Sequence, residues 1–206
     1  MVANQAQDIS FIVTLAATGI PGREVAVMQS KAIRPFPVPD EVAFAENVKK
    51  SISVATSNQE FEAKRKELNI HNKAYLTPIL KSLGASDENI SKFIENETET
   101  VLKPWSVYFY KYNPAIEFEK LKIPILSLNG SKDAQVDATV NQNGIRNALI
   151  KGDNKNYKII ELENMNHLFQ ECTTGNINEY REIEQTISPI AMKEISNWIF
   201  EITKIE

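Results

Sequence analysis

The residues best suited to acid–base chemistry are Asp133 and His167, which follow two apolar, strand-like segments, IPILSLNG and NYKIIELE. Each segment runs into a polar loop, so the carboxylate and the imidazole would stand at the carboxyl ends of consecutive strands. In a hydrolytic triad the acid orients the imidazole, and the imidazole takes a proton from a nucleophile. The sequence therefore predicts two of the three triad members at one edge of a sheet.

The third member, a nucleophilic serine on a sharp glycine-flanked turn, has no match in the sequence. The nearest approach to Gly-x-Ser-x-Gly starts at Gly84 and contains Ser86, but Asp87 and Glu88 follow in place of a second glycine. This triplet lies between two predicted helices rather than between a strand and a helix. We therefore expect Ser86 or Asp87 to be a helix N-cap and not a nucleophile.

Other residues give competing interpretations of the site. Asp133 alone could be a turn residue, since Asp and Gly favour turns, and His167 alone could be a surface or partly buried histidine. Asp137 is the nearest rival for the acid, but its position favours a cap of the following helix. His71 lies in a charged helical stretch, which favours a solvated face. Cys172 follows His167 closely, yet nothing places it on an elbow.

The composition excludes several classes of function. The 206 residues carry 23 basic and 27 acidic side chains, and the net charge of −4 argues against a nucleic-acid surface. No apolar run approaches the roughly 18 residues that span a bilayer, and the first residues show no signal peptide. One cysteine excludes an internal disulfide, and no Cys/His cluster has zinc-site spacing. We expect no cofactor, no metal and no membrane partner, and a cytoplasmic location for the chain as written.

The hydrophobic pattern predicts strands and helices in alternation. A strand–helix–strand–helix series favours parallel strands joined by right-handed crossovers. The first strand is apolar at nearly every position, as in a strand buried on both faces, and little sequence precedes it. We therefore expect an interior strand of a larger sheet. The predicted strands are 9–17, 123–130 and 156–163, and the predicted helices are 23–33, 42–54, 58–83, one starting at residue 86 or 87, 140–151 and 188–203.

The order of these segments resembles the C-terminal half to two-thirds of an α/β-hydrolase, in the bacterial serine esterase-like branch with a helical cap. FIVTLAATGIPG matches the strand after the nucleophile helix, and MVANQA matches the tail of that helix. The GSKD loop puts Asp133 at the family's acid position, and the NHLF loop puts His167 at its base position. The resemblance implies an α/β class: a partial α/β-hydrolase fold with three C-terminal parallel strands, flanking helices and a helical cap insertion.

The same resemblance implies a domain organisation. Residues 1–22 and 104–206 would form the partial hydrolase core, and residues 23–103 would form the cap. The segment PWSVYFYKYNPA would lead from the cap back into the core. Its Trp105, Tyr108 and Phe109 could line an acyl pocket under the cap, although aromatic residues at this spacing more often simply pack.

The function implied is that of a serine hydrolase acting on carboxylic esters or thioesters. Because the elbow is absent, we expect a C-terminal fragment that carries Asp133 and His167 and is inactive alone. The substrate of the full-length parent would be a small-molecule ester. The compartment of that parent stays open, because an export signal could lie outside this sequence. The alternative is a non-catalytic, degenerate hydrolase fold used for binding, and a third interpretation is complementation by a separate polypeptide. A cut sheet would also expose an edge and favour self-association.

Overall fold

Three parallel strands form a sheet in the computed structural model, which describes residues 2–6 and 8–203. The strands are β1 (Ile12–Leu15), β2 (Ile125–Gly130) and β3 (Tyr157–Leu162), and they pair in the order β1-β2-β3. All residues of the central β2 are buried, as expected for a parallel strand that is covered on both faces. The predicted α/β class, with three parallel strands and flanking helices, is confirmed.

Helices make up most of the rest of the described chain. Two of them, the fifth and the sixth, have no counterpart among the predicted helices, and each begins at a proline, whose fixed φ suits a first helical turn. Short 3₁₀ turns occur at Val2–Asn4 and Ile177–Arg181. Within residues 2–6 and 8–203 the α-helices are α1 (Gly22–Ile33), α2 (Glu41–Thr56), α3 (Phe61–Ser82), α4 (Asp87–Leu102), α5 (Pro104–Lys111), α6 (Pro114–Phe118), α7 (Ala138–Lys151) and α8 (Pro189–Thr203).

The chain divides into two compact units: residues 1–21 with 113–206, and residues 22–112. The first contains the sheet with α6, α7 and α8, and the second contains α1 to α5. The helical unit ends at Tyr112, whereas the sequence suggested a boundary at residue 103. The difference arises because α5 packs against α1, α2 and α4, and because the N–H of Gly22 donates to the carbonyl oxygen of Tyr112 at 2.9 Å.

The two faces of the sheet pack against different helices. On one face Leu126 and Leu128 belong to a core that includes Trp198 of α8. On the other face Ile125 packs with Ile145 of α7. Because successive side chains of a strand point to opposite faces, β2 supplies both cores. The parallel sheet therefore lies between two helical layers, with the carboxyl ends of its strands free to carry functional loops.

The ends of α3 and α4 in the helical unit follow the expected capping chemistry. Gly84 lies just past α3 with φ of 82°, a left-handed conformation that glycine adopts without steric cost. Ser86 caps α4, because its hydroxyl accepts a hydrogen bond from the Asn89 N–H at 3.3 Å. Ser86 is therefore the N-cap of α4, as predicted.

β1 is shorter and more exposed than the sequence predicts. It covers Ile12–Leu15 instead of 9–17, and in the part of the chain that the structure describes it pairs with β2 alone. A strand with one neighbour buries less surface, and Leu15 is 47% exposed. Within the described residues β1 therefore has one open edge, as a strand from the interior of a larger sheet would have. The N–H groups of Ile12 and Ala16 bond to the β2 segment, so the peptide groups of Val13 point to the open edge.

The first residues form a single 3₁₀ turn, Val2–Asn4, rather than the expected helical tail, and Met1 lies outside the described residues. None of the helices in these ranges combines the length and the apolar character that a membrane span requires.

Candidate functional site: the acid and histidine loops

The loop after β2 positions Asp133. Its N–H donates to the carbonyl oxygen of Gly130 at 3.1 Å, which closes a tight turn directly after the strand. The next loop of the sheet holds this turn in place, because the Ser131 N–H donates to Leu162 at 2.9 Å and the Lys132 N–H donates to Met165 at 3.0 Å. Backbone hydrogen bonds thus join the two loops independently of the Asp133 and His167 side chains.

The carboxylate of Asp133 is fully buried and accepts hydrogen bonds at both oxygens. Oδ1 accepts from the backbone N–H groups of Gln135 and Val136, both at 2.8 Å. Oδ2 accepts from Asn129 Nδ2 at 3.1 Å and from His167 Nδ1 at 2.8 Å. Buried charges are costly unless they are hydrogen-bonded, and here every donor is positioned by the end of β2 or by the acid loop itself, apart from the histidine.

The loop after β3 is built around the side chain of Asn166, which is fully buried. Its Oδ1 accepts from the N–H groups of Leu168 and Gln170, and its Nδ2 donates to the Gln170 side chain at 2.8 Å. Phe169 turns the chain back with φ of 60°, a conformation that is strained for a residue with a Cβ. This small loop leaves His167 at its tip.

The geometry brings Asp133 and His167 together. An ionised carboxylate only accepts hydrogen bonds. Nδ1 of His167 therefore carries a proton, and its N–H donates a hydrogen bond to Asp133 Oδ2. The side chain of His167 is 27% exposed while that of Asp133 is 0% exposed. The pair therefore joins a buried carboxylate to a partly exposed imidazole, and an imidazole held at Nδ1 can take up a proton at Nε2.

Gly130 makes the contact between the two loops possible. A Cβ at this position would overlap the backbone carbonyl oxygens of Met165 and Asn166. Only glycine allows the end of β2 to approach the histidine loop this closely, so the residue that ends the strand also sets the distance between the Asp133 loop and the His167 loop.

Tyr180 and Gln135 also belong to the site, although sequence reasoning missed both. Gln135 Nε2 donates to the phenol oxygen of Tyr180 at 3.3 Å, and the backbone N–H of Gln135 donates to Asp133 Oδ1. Burial is the main cause that raises the pKa of Tyr180, and the nearby charge of Asp133 adds to it. Tyr180 lies on the Ile177–Arg181 turn, far from both loops in sequence, so no local motif could have indicated it.

The remaining candidates have structural roles. Asp137 caps α7, because its Oδ1 accepts from the Val140 N–H at 2.8 Å, as predicted. Cys172 Sγ donates to a backbone carbonyl oxygen at 3.4 Å, and burial raises the pKa of its thiol, which disfavours a nucleophilic thiolate. His71 is half-buried, with Nε2 3.2 Å from the Asn47 carbonyl oxygen, rather than free on a solvated face.

The three aromatic residues of the expected acyl pocket lie on α5 in the helical unit. Trp105 is 70% exposed and stacks on Phe109 with ring centroids 5.2 Å apart. Tyr108 stacks on Tyr112 at 5.7 Å. These contacts account for packing within one helix, and the pocket itself stays a prediction.

Within residues 2–6 and 8–203, no serine, threonine or cysteine side chain forms a hydrogen bond with His167, whose imidazole has its bond at Nδ1. The same ranges contain no group of three His, Cys, Asp or Glu side chains arranged to hold a metal ion.

No family model matches the sequence, and no curated protein matches it. Among solved structures, the chain is similar to an alpha/beta fold family hydrolase from Bacillus anthracis str. Sterne, with 15% identity and a TM-score of 0.38, over 87% of this chain and 59% of that one. The chain thus spans about three-fifths of that protein's length. The neighbour has the fold class that the motifs resemble, but at this TM-score the α/β assignment rests on the chain's own sheet and helix layers.

Proposed function

We propose that Asp133 and His167 are the acid–base pair of a hydrolase for carboxylic esters or thioesters, and that the nucleophile is supplied from outside these 206 residues. The observation that carries the proposal is the 2.8 Å hydrogen bond from His167 Nδ1 to the buried Oδ2 of Asp133. This bond fixes the tautomer in which Nε2 is free to accept a proton.

The chemistry follows from that tautomer. His167 takes a proton at Nε2 from a serine hydroxyl as the oxygen attacks the ester carbonyl, and then returns the proton to the leaving alcohol or thiol. Asp133 stays ionised, and its charge stabilises the imidazolium that forms between the two steps. Oxyanion donors come with the nucleophile turn and an earlier loop in this type of fold, and the loss of one such donor costs about 10²–10³-fold in rate.

The chain alone is therefore expected to be inactive. A fluorophosphonate probe, which labels activated serines, should label none of its residues. A matched control is the Ser86→Ala variant, because Ser86 is the serine nearest to an elbow motif in sequence. Stoichiometric labelling of the wild-type chain at any residue would refute the proposed external nucleophile, and loss of that label in the variant would identify Ser86.

The catalytic role is tested by supplying the missing part. The DNA upstream of the Met1 codon is translated in frame, and any strand followed by Gly-x-Ser-x-Gly is expressed together with this chain. We expect hydrolysis of short p-nitrophenyl esters, reduced by about 10⁴-fold or more in His167→Ala. If no such motif exists and the chain gives no activity with a separately encoded partner either, the pair is a relic in a binding protein. That outcome would favour the non-catalytic alternative.

A further inference from the structure

The histidine loop is attached to the part of the chain that leads into α8. The backbone N–H of Ser188 donates to the carbonyl oxygen of Phe169 at 2.7 Å. The side chain of Gln170 donates from Nε2 to the carbonyl oxygen of Gln185 at 2.8 Å. Because α8 packs against one face of the sheet, these bonds anchor the loop to the core of the unit.

Gln170 connects this anchor to the residue that shapes the loop, Asn166. Gln170 is buried, and its Oε1 accepts from Asn166 Nδ2 at 2.8 Å. Its N–H donates to Asn166 Oδ1 at 3.1 Å, and its carbonyl oxygen accepts from the Asn166 N–H at 3.0 Å. A flipped Gln170 amide would set a donor against Asn166 Nδ2 and an oxygen against the Gln185 carbonyl, so its partners fix its orientation. The Asn166 amide, the Gln170 amide and the Gln185 carbonyl therefore form one amide relay, in which each donor points towards Gln185.

The amide relay closes the loop across a strained residue. Phe169 has φ of 60°, a left-handed conformation that is unfavourable for a residue with a Cβ. Such a conformation persists where the surrounding structure over-determines it. Phe169 lies between Asn166 and Gln170 in sequence, and the three hydrogen bonds between those two residues hold the backbone around it. His167 lies inside the same closed segment, so its backbone position depends on these bonds.

We propose that Gln170 is a positioning residue, which fixes the backbone of His167 so that the imidazole meets Asp133 Oδ2 in one geometry. This inference rests on the proposed function of the pair. Gln170 does not touch a reacting atom, because it acts through Asn166 and Gln185. The imidazole is thus held at two points, by Asp133 at Nδ1 and by the amide relay at its backbone.

The test is the Gln170→Met variant, which removes the amide and keeps the length of the side chain. Exchange with water is measured by NMR at the Nδ1–H of His167 and at the N–H of Leu168, which donates to Asn166 Oδ1 at 2.9 Å. The variant loses two side-chain hydrogen bonds, and each is worth roughly fivefold in an equilibrium. We expect both protons to exchange at least about tenfold faster, by similar factors, because one local opening of the loop exposes both.

Asn154→Leu is the matched control, because it also removes a buried amide from the same unit. Asn154 lies before β3, at the opposite end of the sheet from the site, and its Nδ2 donates to the carbonyl oxygens of Leu121 and Ile123 at 3.0 and 3.1 Å. The control should lower the free energy of unfolding in urea, as Gln170→Met does. It should leave the exchange of the His167 Nδ1–H at the wild-type rate.

Gln185→Met is a milder second variant, because the Gln185 side chain is only half-buried. Its Oε1 accepts from the Glu171 N–H at 2.8 Å, so the variant loosens the anchor and leaves the Gln170 amide in place. The loss of this hydrogen bond should make the exchange of the His167 Nδ1–H about fivefold faster. The wild-type rate in this variant would overturn the anchoring of the loop at Gln185, and with it the proposal.

Two further results would overturn the proposal. The first is faster exchange of the Leu168 N–H in Gln170→Met with the His167 Nδ1–H at its wild-type rate, because Gln170 would then hold the loop but not the imidazole. The second is an equal acceleration of the Nδ1–H in Asn154→Leu, because exchange would then follow overall stability.

The failure of this proposal can be told from that of the proposed function. If the wild-type protein shows a protected Nδ1–H proton and Gln170→Met does not change it, the pair stands and only the role of Gln170 is refuted. If the wild-type protein shows no protected Nδ1–H proton at all, there is no pair to position and both proposals are refuted.

Discussion

The carboxylate of Asp133 accepts hydrogen bonds from the turn at Oδ1 and from His167 at Oδ2, and substitutions of this residue can separate the two roles. In Asp133→Ala all four hydrogen bonds to the carboxylate are lost, and the donors around it lose their acceptor in a buried place. A buried donor that loses its acceptor costs about 1–3 kcal/mol. Because several donors lose their acceptor together, we expect Asp133→Ala to lower the free energy of unfolding by about 3 kcal/mol or more.

Asp133→Asn is expected to cost less. Two backbone N–H groups need an acceptor at the Oδ1 position, so we expect the oxygen of the new amide to lie there. The NH₂ group of the amide then takes the Oδ2 position. There it faces Nδ1 of His167, which can become an acceptor by moving its proton to Nε2. The amide of Asn129 loses its hydrogen bond to Oδ2 and keeps the one to the Val136 carbonyl oxygen at 3.0 Å, and a buried hydrogen bond lost in this way costs about 1–3 kcal/mol. The histidine should switch tautomer, and its base function at Nε2 should be lost.

The assay combines urea unfolding, which gives the free energies, with NMR of the two histidine rings, which gives the tautomers. We expect the wild-type His167 to carry its proton on Nδ1, the Asp133→Asn variant to carry it on Nε2, and His71 to be the same in both. The reasoning is refuted if Asp133→Asn keeps the proton on Nδ1. It is also refuted if the asparagine variant is as unstable as the alanine variant, because the two oxygens would then not have separate roles.

Three further predictions concern the surroundings of the site. Gly130→Ala should lower stability by about 1–3 kcal/mol in urea unfolding, because its Cβ would overlap backbone in the histidine loop; unchanged stability would contradict the close approach. The pKa of Glu179 is lowered from 4.5 to about 2, first by the hydrogen bond from Thr174, so its stabilising effect is present above pH 4.5 and is lost as the pH falls towards 2. The difference in melting temperature between wild type and Glu179→Gln should therefore shrink over that range, and a constant difference would contradict this. Because of the open β1 edge, the wild-type chain should self-associate in size-exclusion chromatography, and Leu15→Lys should reduce this self-association. The control Ile150→Lys, at an exposed apolar position on α7, should not reduce it. A clean wild-type monomer would contradict the edge contact.

Much of the fold is predictable because its signals are local. The caps at Ser86 and Asp137 follow from the preference of Ser and Asp for positions where a side-chain oxygen meets free N–H groups. The meeting of Asp133 and His167 follows from one non-local rule: the carboxyl ends of parallel strands share an edge. The apolar character of β2 likewise predicts a strand buried on both faces, and all of its residues are buried.

The differences lie where packing decides the outcome. The segment that starts at Pro104 is rich in aromatic residues and was expected to lead back into the core, yet it forms α5, because a helix there packs against three others. The apolar run 9–17 predicts a longer strand than β1, Ile12–Leu15, because apolar character alone does not mark where pairing with a neighbour ends. Tyr180 is the clearest example, since its place beside Gln135 depends on a hydrogen bond across 45 positions of sequence.

The two interpretations of Asp133, a turn residue and the acid partner of a histidine, do not exclude each other, and the two oxygens of the carboxylate show why. Oδ1 serves the turn, since it accepts from Gln135 and Val136, and a neutral asparagine could perform that task equally well. Oδ2 serves His167, and there the charge matters, because only an acceptor without protons holds the imidazole in the Nδ1–H tautomer. A buried charge seldom adds stability that an uncharged group could not supply. The turn therefore explains why a residue of this shape lies after β2, whereas only its histidine partner explains why that residue is an aspartate.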